Sequence, residues 1–277
     1  MGYDQYVEMV QYLQGIREDV RFHRNLSWHV IEQQGAFIVD SVRNQSNMLN
    51  ALKDLQGIGE YEFVHPIKVA TIAVYIGKWL HLEDKVLFEL ACAGLVADIG
   101  KAKVKDSLLY KASCLNNDER ELLRQHPIKG FGFIAKDKRI SGGVKMAVLS
   151  HHERDDGSGY PFGLRNDEIH IFAKIIAIAD IFDAMISKRI YSKKNSVFHA
   201  VKEIVEDGFG KLDPLICQTF FQKICKCYVG TKVVLSNDMI GEIIHVNPLH
   251  PERPLIRSEQ TFLDLVMHKD IEIIDMI

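Results

Sequence analysis

Apolar residues recur at helical spacing through the first fifty-odd positions of the chain. Val7, Val10 and Leu13 mark one stripe, and Val39, Val42, Met48, Leu49 and Leu52 mark another. Residues 21–34, polar and irregular, predict a break between them, and Gly57-Ile58-Gly59 ends the region. Two segments of a different kind follow, 64–80 and 86–99, apolar nearly all round. A helix with no polar face belongs inside a core. Asn117 reads as the N-cap of a helix over 117–136, with Asp118, Glu119 and Glu121 in the first turn, where the helix dipole favours acids. Pro127 must kink or divide it. Residues 144–150, 168–187, 196–205 and 214–226 read as further helices, with a Gly-rich loop over 155–163. Beyond Tyr228 the runs shorten and become rich in branched residues. Strands are expected over 229–235, 239–246, 254–257, 262–266 and 271–274, with turns at Ser236-Asn237-Asp238 and Asn247-Pro248. The pattern predicts a mainly α protein in three parts: an N-terminal helical region (1–59), a helical domain (60–227) and a small antiparallel β-appendage (228–277).

Composition narrows this picture. At 277 residues and 47% hydrophobic, the chain has ample material for a core. A net charge of −3, with no run of five or six like charges, gives no reason to expect binding to a nucleic-acid duplex. The densest basic group, Lys188-Arg189 with Lys193-Lys194, suits a small anion instead. The five cysteines are odd in number and unevenly spaced, and Cys225 and Cys227 do not form a CxxC pair, so reduced thiols in a cytoplasm are expected. No apolar block of signal-peptide length opens the chain, and no stretch reaches the roughly 18 apolar residues of a membrane span.

The chemistry begins with carboxylates among apolar residues. Asp98 ends the run Leu95-Val96-Ala97, and Asp180 sits between Ile175-Ile176-Ala177-Ile178-Ala179 and Ile181-Phe182. An ionised carboxylate in such a place needs a cation or takes up a proton. Either aspartate alone is explained as well by backbone or arginine partners. Each of His65, His126, His151 and His152, taken singly, is more often a structural histidine than a ligand. Adjacent imidazoles together with two carboxylates in apolar helices are a different matter. Mixed imidazole and carboxylate donors suit iron, manganese, nickel or zinc, and a carboxylate can bridge two ions.

In the order and approximate spacing of His65, Asp98-Ile99-Gly100-Lys101, His126-Pro127-Ile128-Lys129-Gly130, His151-His152-Glu153 through Gly159-Tyr160-Pro161, and Asp180-Ile181-Phe182-Asp183, the chain resembles the HD-GYP family over residues 61–221. The resemblance implies an HD-type helical bundle, preceded here by N-terminal helices and followed by the β-appendage. It implies hydrolysis of cyclic di-GMP to linear pGpG or GMP with one or two divalent transition metal ions, iron or manganese before nickel or zinc. Carried over by position, His65, Asp98 and Asp180 would hold one ion, and Asp98, His126, His151 and His152 the other. Asp98 and Lys101 would be catalytic. Lys101, Arg189, Gly159, Tyr160 and Pro161 would meet substrate, with Glu153 and Asp183 behind the ligands. The Gly159-Tyr160-Pro161 loop also suggests a docking point for a signalling protein, and the N-terminal helices a homodimer.

Three departures from the family pattern stand out. The defining His-Asp dipeptide reads Ala97-Asp98, and alanine cannot ligate. Tyr61 stands where some members carry a glutamate, so a third ion is not expected. The Arg-Pro-Tyr-basic run reads Arg189-Ile190-Tyr191-Ser192, with Lys193 as the nearest substitute. A working phosphodiesterase, a catalytically impaired module that binds metal or cyclic di-GMP and signals through protein partners, and a scaffold all remain open at this stage.

Overall fold

The structure, a computed structural model, describes residues 2–190, 208, 210–247, 250–259 and 261–276. Its helices are α1 (Gly2–Arg21), α2 (Trp28–Asn44), α3 (Met48–Lys53), α4 (Tyr61–Trp79), α5 (Asp84–Val96), α6 (Asp106–Leu109), α7 (Asn117–Arg124), α8 (His126–Ile134), α9 (Gly142–Ser150), α10 (Ile171–Ile190) and α11 (Pro214–Cys227). A 3₁₀ turn, Ile99–Lys103, follows α5, and five strands close the chain: β1 (Lys232–Leu235), β2 (Ile240–Asn247), β3 (His250–Ser258), β4 (Thr261–Asp264) and β5 (Ile273–Met276). The protein is therefore mainly α with a small antiparallel sheet, as the patterning predicts. It divides into two compact units, Met1–Ala179 with Gly210–Asp213, and Asp180–Phe209 with Pro214–Ile277.

In the first unit α4 and α5 form the centre. Helix α4 is buried without a break from Ile67 to Gly77, and α5 from Leu90 to Val96. They approach closely because Gly94 faces the backbone of Ala70, where a Cβ would overlap it. Helix α2 lies against both, and α8 and α9 pack on one another. The N-terminal helices thus share a core with the bundle rather than standing apart from it.

Two local expectations shift. Helix α2 begins at Trp28, inside the stretch expected to be irregular, because Trp28 and Ile31 extend the buried stripe Gly35, Ile38, Val39 and Val42 upstream. Fully burying one such large side chain contributes about 1.5–3 kcal/mol, enough to outweigh the polar residues around it. The helix over 117–136 is divided, as Pro127 requires, at Gln125, with Pro127 in the first turn of α8, where its missing N–H costs nothing. The N-cap of α7 is Asn116, not Asn117: its side chain accepts from the Glu119 N–H while Glu119 accepts from the Asn116 N–H, a reciprocal capping box.

In the second unit the sheet runs in the order β4-β3-β2-β1-β5, all neighbours antiparallel. Val233, Leu235, Ile243, Ile256 and Leu265 are buried, and α11 packs on β2. Phe182 and Phe220 meet edge to face, with centroids 5.0 Å apart. Asp183 is buried and accepts a hydrogen bond from the Ser187 hydroxyl at 3.1 Å. The expected helix over 196–205, with Tyr191, Ser192, Lys193 and Lys194, lies outside the described residues, as does the side chain of Arg189. Among the described residues, no helix is long and apolar enough to cross a membrane.

Candidate metal centre

The site is assembled where α5 stops. The helix ends at Val96, and Asp98 leaves it with φ −94° and ψ 10°, directly ahead of the 3₁₀ turn. That turn returns Lys101 towards Asp98, placing its Nζ 2.6 Å from Oδ2. Gly100 lets the turn lie against the start of α8, because a Cβ there would overlap the His126 carbonyl oxygen. His126, first residue of α8, thereby meets Asp98 across a distance no local pattern specifies.

The carboxylate faces two ways. His126 Nε2 lies 3.1 Å from Asp98 Oδ1, and His151 Nε2 lies 3.6 Å from the same oxygen. His65 Nε2 lies 3.5 Å from Oδ2, the oxygen that also meets Lys101. Asp98, His126, His151 and His152 offer four ligand atoms within 4.8 Å of one another. The imidazole rings crowd together, with centroids 4.0 Å apart for His151 and His152 and 5.0 Å for His126 and His152.

Backbone carbonyls set the rings. His126 Nδ1 donates to the Leu123 carbonyl at 2.8 Å, and His151 Nδ1 to the Ala147 carbonyl at 3.0 Å. A carbonyl can only accept, so the proton sits on Nδ1 and the Nε2 lone pair points into the site. His65 is held differently, its Nδ1 lying 3.2 Å from the Tyr61 hydroxyl. Burial lowers the pKa of His126, with Asp98 opposing it, and burial together with the neighbouring histidines lowers that of His152 well below its ordinary value. Neutral imidazole is the form that ligates. Burial also works to raise the Asp98 carboxyl, but the Lys101 charge and the nearby imidazoles of His126, His151 and His65 outweigh it and hold the group ionised.

These donors fit a divalent ion. Asp98 Oδ1, His126 Nε2 and His151 Nε2 are buried and satisfied by no hydrogen bond, an arrangement costly in itself and resolved by ligation. Ala97, also buried, adds no ligand atom. Asp180 sits in the middle of α10, partly exposed, where the second unit begins.

The Gly-rich loop is bound to this cluster. Glu153 is buried and accepts from the backbone N–H of Phe162 at 2.7 Å and of Leu164 at 3.0 Å. It therefore pins the loop. The Tyr160 N–H donates to the His152 carbonyl at 3.2 Å, and its ring stacks on the His152 ring at 4.6 Å. Gly159 passes so close to the backbone of 152–154 that a Cβ would overlap it. The Arg124 guanidinium lies 5.3 Å from the far-reaching Tyr160 ring centroid, a cation–π contact. Sequence reasoning missed Tyr61 as a partner of His65, although their i, i+4 spacing signals it. It also missed Arg124, for which the sequence carries no signal.

Comparison with known proteins agrees with this geometry. Residues 38–216 match the HD domain model. Cyclic di-GMP phosphodiesterase PA4108 of Pseudomonas aeruginosa is 33% identical over 204 residues, 74% of this chain and 49% of that protein. The cyclic di-GMP phosphodiesterase of Thermotoga maritima is 34% identical over 179 residues, 64% of this chain and 47% of that one. The chain thus spans about half the length of these relatives. Among solved structures, Bd1817, an HDG"Y"P protein from Bdellovibrio bacteriovorus, shares the fold with a TM-score of 0.62 at 20% identity, covering 76% of this chain and 69% of that one. With its fold, its histidine–aspartate cluster and this match over most of its length, the chain belongs to the HD domain family, in its HD-GYP branch.

Proposed function

We propose that this chain is a metal-dependent phosphodiesterase that hydrolyses cyclic di-GMP to linear pGpG, and further to GMP, in the cytoplasm of a bacterium. The observation that carries the reading is Asp98, whose two carboxylate oxygens face two different sets of donors. Asp98 with His126, His151 and His152 would hold one ion, and Asp98 with His65 and Asp180 the other, iron or manganese suiting the donors. Such ions, when bound, lower the pKa of a water and offset the charge of a phosphate. In the reaction water adds to phosphorus, the bond to the ribose 3′-oxygen breaks, and that oxygen leaves with a proton.

The chain's own groups prepare this step. Asp98 stays ionised because Lys101 and the imidazoles outweigh its burial. Lys101, part-buried at the rim, brings a positive charge to where a phosphate would lie. Tyr160 holds His152 by stacking and by its N–H, and with Gly159 and Pro161 forms a lip that would meet the dinucleotide. Arg189 would complete the anion contacts. The names of the relatives in Pseudomonas aeruginosa and Thermotoga maritima support this substrate.

Ala97 favours a second reading, in which the module binds metal or cyclic di-GMP and signals through a partner docked on the Gly159-Tyr160-Pro161 loop, or through a homodimer. Anaerobic incubation of manganese- or iron-loaded protein with cyclic di-GMP separates the two. A linear product, absent with Asp98→Ala, supports the phosphodiesterase. Bound but unchanged nucleotide moves the assignment to the binding module.

A further inference from the structure

Away from the metal centre, α8, the 3₁₀ turn, the segment after α8 and the stretch between α1 and α2 line an open cleft of about 880 Å³. Small-molecule sites run from about 300 to 1,000 Å³, so the space suffices for a nucleotide. Its walls are unusually basic for a chain of net charge −3. Lys129 lines it from α8, Lys103 from the 3₁₀ turn, and Lys136 and Lys138 from the segment after α8.

The charge balance decides what the cleft can hold. Asp137, which also lines it, is already tied to Arg139, with contacts as short as 2.6 Å. Arg24 faces Asp19 at 3.6 Å. Lys103 donates to the Arg21 carbonyl, which leaves its charge unbalanced. Among the described residues, Lys129, Lys136 and Lys138 enter no ion pair. Several ammonium groups from three segments therefore surround one cavity without carboxylates to match them. A low-dielectric cleft lined by one sign of charge concentrates the opposite ion.

An aromatic surface accompanies the charge. Phe133 lines the cleft four residues after Lys129 and so shares its helix face. The Lys103 Nζ lies 5.9 Å from the Phe133 ring centroid. Gly132, beside it, is exposed and carries no side chain into the space. Lysine ammoniums are point-charge partners for phosphate, and an aromatic face accepts a base.

We propose that this cleft is a second anion site, which takes a phosphate-bearing small molecule of nucleotide size and is separate from the metal centre. The inference does not rest on the phosphodiesterase reading, because none of the cleft residues is a proposed metal ligand. Its floor is nevertheless built from the same two elements: α8 begins with His126, and the 3₁₀ turn follows Asp98 directly.

The test is calorimetric titration of the full chain, with chelator present, using inorganic pyrophosphate in one arm and GMP in the other. We expect one saturable site per chain, weakened about tenfold or more by Lys136→Glu with Lys138→Glu and unchanged by Asp98→Ala. Gly132→Leu provides a second variant. A Cβ at that helical position meets nothing within 4 Å, so the fold is retained, as its melting curve checks, while the cleft is obstructed and binding falls. Tighter binding of GMP than of pyrophosphate, reversed by Phe133→Leu, assigns a nucleotide. Binding of pyrophosphate alone assigns an inorganic phosphate. No saturable binding of either probe, binding that survives both cleft variants, or binding lost in Asp98→Ala overturns the proposal.

Discussion

The two oxygens of Asp98 look onto unequal surroundings. On the Oδ1 side, His126 and His151 are fixed by helical carbonyls, which cannot rotate away without unwinding a turn. On the Oδ2 side, His65 depends on the hydroxyl of Tyr61, a residue 47% exposed, and the Lys101 ammonium already stands at 2.6 Å. Ala97, the neighbour of Asp98 in the chain, offers no ligand atom. The same carboxylate thus belongs to one side whose imidazoles are fixed by helical carbonyls and another that Lys101 partly neutralises. Ligand count alone does not describe that difference. How each donor is held decides how much ordering a bound ion must still impose.

The comparison can be broken most severely from the rigid side. His151→Ala should reduce affinity for the tighter ion by about a hundredfold or more, beyond the ten- to hundredfold typical of losing an outer partner, as measured by metal titration. Equal loss from His65→Ala would remove the asymmetry. Ala97→His should strengthen the weaker side, raising metal stoichiometry towards two per chain with a gain of about ten- to hundredfold in its affinity. An unchanged metal content would show that this position does not face the site. Glu153→Gln replaces one acceptor oxygen with an amide that meets a backbone N–H donor. It should cost about 1–3 kcal/mol of stability, read as a lower Tm and faster proteolysis within 155–163. The smallest effect is expected from Tyr61→Phe. Losing an accessible hydrogen bond costs about 0.5–1.5 kcal/mol, a several-fold loss confined to the weaker ion. Equal weakening of both ions would place Tyr61 in the support of the whole cluster.

Much of this was legible along the chain, and for a physical reason. Burial leaves a local imprint: the all-apolar runs of α4 and α5 mark the core, and an aspartate at the end of one of them announces an unusual partner. The five strands follow from short branched runs between turn residues. The order of histidines, aspartates and the Gly-Tyr-Pro loop points to the family because those residue types have few other uses at that spacing. Other features carry no local imprint. Glu153 reads as a residue near ligands, yet it holds backbone groups nine and eleven residues further on. Trp28 begins α2 because a buried site awaits it, against the polar pattern around it.

The sequence by itself determined which residues could ligate, the helical class of the bundle and the alanine that sets this chain apart. Only the tertiary structure decided which oxygen of Asp98 each histidine faces, that Tyr160 stacks on His152 beneath Arg124, and that separated lysines converge on one cleft. Periodicity reports whether a side chain is buried. Ligation, stacking and charge focusing depend on distances between segments far apart in the chain, and those are set by how the helices pack.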